Sequence, residues 1–119
     1  MRKLFAVALL AGLLGLLVVA APALSKHKSL EVGNNYFVEK GKPHTVTVHA
    51  GDTVEWEWEG MTNPHNVTVV KGPKGAKKFH SKTQMSGTFE KKLKKAGTYK
   101  IVCTIHRALG MKMTLKVKQ

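Results

Sequence analysis

Cys103 is the only cysteine in a chain of 119 residues, and His106 and Met111 follow it at the spacing C-x2-H-x4-M. A thiolate, an imidazole and a thioether that close together are soft enough to share one metal ion. A second imidazole, His65, lies upstream in Asn63-Pro64-His65-Asn66. Two imidazoles, a thiolate and a weak axial thioether make the trigonal set that suits copper in electron transfer. Taken singly, each residue has a plainer reading: cysteine as a small hydrophobe, methionine as core filler, histidine as a hydrogen-bonded core residue. The combination points to a metal. His27, His44, His49 and His80 show no fixed spacing to this set, and Met61 and Met85 stand outside it. With no C-x2-C and no chelating histidine pair, no second defined metal site is expected.

Such ligands need a rigid frame, and the frame reads as strands. Thr53 to Glu59 alternates without a break, with Val54, Trp56 and Trp58 on one face and three glutamates on the other. That is a half-buried strand with one wet face. Further strands are expected over 45–49, 65–70, 87–93, 98–103 and 111–117, with a lysine-rich loop over 71–82 and a frayed start over 24–34. Short strands punctuated by glycine predict an all-β sandwich. Successive strand side chains point to opposite faces. His65 therefore shares a face with Val67 and Val69, Cys103 with Tyr99 and Ile101, and Met111 with Met113, Leu115 and Val117. Lys112, Lys116 and Lys118 are left facing water.

The segments AGDTVEWEWEG, NPHNVTVV, AGTYKIVC and CTIHRALGMKM resemble the plastocyanin/azurin family of cupredoxins, most nearly its small plastocyanin-like branch with halocyanin and pseudoazurin. The resemblance covers most of 28–118. It implies a Greek-key β-sandwich holding one type 1 copper at one end, with His65, Cys103, His106 and Met111 as ligands. It also implies that His106 lies near the surface as the electron port, and that the backbone N–H of Asn66 supports the thiolate. Two positions depart from the family: Ile105 stands where proline is frequent, and Met113 where many relatives have glycine. The single cysteine also excludes the internal disulfide that azurin-type members usually carry.

The first 23 residues read as a separate segment. Arg2 and Lys3 precede a nearly unbroken apolar run from Leu4 to Ala20, and Ala21-Pro22-Ala23 is a small-residue cleavage site. That is the pattern of a secretory signal peptide, with an uncleaved membrane anchor as the alternative, since the run approaches a span in length. A cupredoxin domain over 24–119 in the periplasm or another extracytoplasmic space is the resulting expectation. The whole chain carries +13. Without Arg2 and Lys3, 18 basic residues face seven acidic ones, leaving +11. Such a charge favours redox protein partners that are acidic at the docking face, or an anionic membrane surface. An exported protein meets little nucleic acid, and a monomer is expected. A copper oxidase or nitrite reductase needs a second copper centre with more histidines, and a copper carrier favours open methionine-rich sites. A one-electron carrier cycling Cu(II)/Cu(I), not an enzyme, therefore fits best.

Overall fold

The computed structural model describes Gly15 and 24–119, apart from Lys42 and Met61. The signal peptide expected over 1–23 therefore lies, Gly15 aside, outside the described residues, as does Met61. Among the described residues no helix is long and apolar enough to cross a membrane.

Among the described residues, alternation in the sequence becomes eight strands in two sheets. They are β1 (His27–Gly33), β2 (Tyr36–Phe37), β3 (His44–His49), β4 (Thr53–Trp58), β5 (Thr68–Lys71), β6 (Gly87–Lys92), β7 (Gly97–Val102) and β8 (Lys112–Lys118). One sheet runs β2-β1-β4-β6 and the other β3-β8-β7-β5. Val54, Trp56 and Trp58 of β4 are buried between the sheets, as their parity requires. Met113, Leu115 and Val117 of β8 meet them from the other side, while Lys112, Lys116 and Lys118 are exposed. The expected sandwich is what the chain forms.

Two local expectations need correction, and a third gains a detail. The start of the domain is not frayed: β1 pairs in parallel with β4 from His27↔Thr53 to Val32↔Trp58. Its outer half is exposed, and only Leu30, Val32 and Gly33 are buried, so alternation alone does not reveal it. The strand expected from His65 begins only at Thr68. Before it, Val67 N–H goes to the Ser81 hydroxyl at 2.9 Å rather than into the β5–β7 ladder. The lysine-rich loop also has an apolar anchor. Phe79 packs 6.2 Å from Trp56 and 6.3 Å from Tyr99, ring centre to ring centre, in the tilted range aromatic pairs prefer.

The two ends of the sandwich differ. β4 and β7 finish at one end, where His65 and Cys103 lie beside the Cys103–Met111 loop. The opposite end carries the His49–Thr53 turn and the start of β7.

Candidate metal centre

Each side chain at the first end is positioned by a different device. The main chain of His65 is clamped: its N–H donates to Gln84 O and its O accepts from Gln84 N–H, both at 3.0 Å. The indole N–H of Trp58 also donates to His65 O, at 3.1 Å. Cys103 follows β7 directly, and its N–H donates to Met111 O at 3.1 Å, closing the loop at its base. Within the loop a 3₁₀ turn runs over Arg107–Leu109 and stops at Gly110, whose φ of 83° is left-handed, a conformation glycine adopts without steric cost. The chain then turns back so that Met111 N–H meets His106 O at 3.3 Å. His65, Cys103 and Met111 are fully buried, and His106 is half-buried.

The three strongest donor atoms converge. His65 Nδ1 lies 2.9 Å from His106 Nδ1, while Cys103 Sγ lies 3.6 Å from His106 Nδ1 and 3.9 Å from His65 Nδ1. A point equidistant from all three is about 2.0 Å from each, close to transition-metal bond lengths to nitrogen and sulfur. Lone pairs aimed at one point repel unless a proton or a cation sits there. Burial first, and the neighbouring His106 second, hold His65 below the usual imidazole pKa. Its neutral form, the one that ligates metals, is favoured.

The far nitrogen of the same ring is also placed. His65 Nε2 lies 3.4 Å from Asn34 Oδ1, while Asn34 Nδ2 donates to Thr62 Oγ1 at 3.3 Å. A proton on Nε2 facing that oxygen leaves Nδ1 as the free lone pair, the usual way an outer partner sets a ligand tautomer. Asn66 does more than its neighbourhood to His65 suggests. Its Nδ2 donates to Thr83 Oγ1 (3.1 Å) and Thr104 Oγ1 (2.8 Å). Its Oδ1 accepts from Thr68 Oγ1 (2.8 Å) and from the Thr104 N–H (3.1 Å). One amide thus joins the His65 segment to the residue after Cys103. Asn34, Gln84 and the side-chain role of Asn66 left no mark in the spacing of the sequence, because each acts through a contact between distant segments.

Apolar residues flank His106 in its loop. Ile105 is 53% exposed and Leu109 67% exposed, and Pro64 and Ala108 are exposed. Arg107 and Lys112 are exposed nearby. Among the described residues one further group of possible ligands exists, His27 with Glu55 and Glu90 on the outside of the first sheet.

Comparison with known proteins follows this geometry. The family model described as copper binding proteins, plastocyanin/azurin family, matches residues 28–118. A plastocyanin from Prochlorothrix hollandica is 35% identical over 108 residues, spanning 87% of this chain and 82% of the relative. A halocyanin from Natronomonas pharaonis is 41% identical over 81 residues, 66% of this chain and 47% of that one. Among solved structures, native pseudoazurin from Hyphomicrobium denitrificans superimposes with a TM-score of 0.61 at 25% identity, over 76% of this chain and 74% of its own.

Proposed function

The chain belongs to the plastocyanin/azurin family of copper-binding proteins, and from that premise we propose that it is an exported one-electron carrier. In this reading His65, Cys103, His106 and Met111 hold one copper ion, and residues 1–23 direct the chain out of the cytoplasm. The observation that carries it is the convergence of His65 Nδ1, His106 Nδ1 and Cys103 Sγ on one buried point. Copper bound there supplies a couple that changes by one electron, and the softness of the donor set suits both oxidation states. The protein's part is to hold its donors still. The Gln84 and Trp58 contacts fix His65, the Met111 carbonyl fixes Cys103, and Asn66 fixes the segments to each other. Ligands held in place by the fold do not need to reorganise between oxidation states.

His106 is the one member of the set that reaches solvent. Its exposed surroundings of Ile105, Leu109, Ala108 and Pro64 are small and apolar, as brief redox encounters require. Arg107 and Lys112 at the margin favour a partner that is acidic at its docking face. The test is stoichiometric. The copper-loaded chain is titrated with a one-electron reductant and then reoxidised by an electron-acceptor protein. One electron per chain, returned in full and without consumption of nitrite or dioxygen, is the expected result. Catalytic loss of either substrate contradicts it.

A further inference from the structure

The end of the sandwich away from the metal centre is strongly basic, and the domain's N-terminal segment leaves from it. There Ala50 N–H donates to Lys118 O, Gly51 N–H to Leu93 O, and Thr53 N–H to Lys26 O. Beside these turns lies a cleft of about 320 Å³ whose rim is Lys77, Lys91, Lys92, Lys94 and Lys95, over a floor of Phe79, Leu93 and Tyr99. All five lysines are exposed, and Lys91 Nζ stands 5.5 Å from the Phe79 ring centre. Lys26 and Lys118 lie at the same end. The acid placed there, Asp52, is buried and turned inward, accepting the N–H groups of Lys26 (2.8 Å) and His49 (2.9 Å). Glu55 and Glu90 face the outside of the β4–β6 pair, two positions in from this end.

Leu24, 89% exposed, sits here beside Lys26, His49 and Gln119. Upstream of it the sequence carries the apolar run from Leu4 to Ala20. The same end therefore combines exposed lysines with the exit of a segment whose composition suits lipid. We propose that this end docks on an anionic lipid surface. Lysines near such a surface attract it within a Debye length. A six-residue strand is about 20 Å long, so His106 at the other end stays clear of the lipid and open to a redox partner. This extends the proposed carrier and rests on it only for placing the chain outside the cytoplasm. Vesicle binding reads no electron transfer, so a failure here leaves that reading standing.

The copper-loaded full chain is tested by co-sedimentation with vesicles of phosphatidylcholine alone and of equal parts phosphatidylglycerol and phosphatidylcholine. The variant changes Lys77, Lys91, Lys92, Lys94 and Lys95 to glutamine. The control makes the same change at Lys40, Lys71, Lys82, Lys100 and Lys112, away from this end. All three proteins share residues 1–23, so the affinity of that segment cancels. The wild type and the control are expected to prefer anionic vesicles. The distal variant should lose about tenfold or more of that preference, since each lysine contributes roughly fivefold at close approach. Unchanged circular dichroism establishes that each variant is folded. A wild type indifferent to phosphatidylglycerol, or an equal loss in the control, overturns the proposal. So does a distal end that binds polyglutamate more tightly than vesicles of matched charge, which makes it a dock for an acidic protein.

Discussion

Each ring nitrogen of His65 has its own assignment: Nδ1 to the convergence point and Nε2 to Asn34 Oδ1. Asn34 thereby selects the tautomer, and Asn34→Leu removes that selection without touching a donor. Copper affinity is expected to fall about tenfold or more, as for other lost outer partners of metal-bound histidines, in a competition titration against a chelator. Equal affinity in the variant would remove Asn34 from the account. Asn66 is a structural counterpart. Asn66→Ala strips partners from the Thr104 N–H and from three hydroxyls. A loss on the order of 2–3 kcal/mol in denaturant unfolding is expected, since polar groups left unpaired cost 1–3 kcal/mol each and some of these regain water. At this scale the sequence was unevenly legible. Strand parity gives the inward faces of Cys103 and Met111, and the four candidate ligands follow from residue type and spacing. Asn34 did not, because a side-chain amide reaching a histidine 31 positions away has no periodic signature.

The pairing of β4 with β6 sets Glu55 directly opposite Glu90, with Glu57 on the same face. Sharing hydrogen bonds with Glu90 and then Glu57 lifts the Glu55 carboxyl to about 7 from its ordinary 4.5. A raised carboxyl pKa means that the protonated form fits the fold better. Its contribution is complete below about pH 4.5 and is lost as the pH climbs through about 7. Thermal melts across that window should show stability declining, and Glu55→Gln should flatten the decline. An identical slope in the variant would assign the effect elsewhere. β4 itself was readable because its apolar and acidic residues alternate strictly. β1 was not: its exposed first half breaks the pattern, and its main partner is a parallel strand far along the chain. The His65 segment also defeated a period-two reading. Where the site is built, a regular ladder gives way to isolated bridges, His65 with Gln84 and Thr68 with His80, and to side-chain contacts from Val67 to Ser81 and from Asn66 to Thr104.

Across the whole molecule, apolar and basic surfaces are divided between the two ends. The metal end offers His106 within an apolar surround edged by Arg107 and Lys112, and the far end offers the lysine cleft. If charge steers the encounter, electron transfer to an acidic redox protein slows as salt rises, because the Debye length contracts from about 8 Å at 0.15 M to about 3 Å at 1 M. Stopped-flow rates that are flat or rise with ionic strength would contradict acidic docking. The net charge was plain from composition, but its division was not, since only the turns of the sandwich bring Lys77 beside Lys94. The central claim is that Cys103 and the two histidines form a type 1 copper site. Its most direct test is the visible spectrum of the metal-free chain on adding one equivalent of Cu(II), beside Cys103→Ser. The wild type is predicted to develop an intense thiolate-to-copper charge-transfer band that a reductant bleaches and an oxidant restores, while the folded variant shows no such band. A wild type that stays pale, or a Cys103→Ser protein that turns equally blue, would contradict the account.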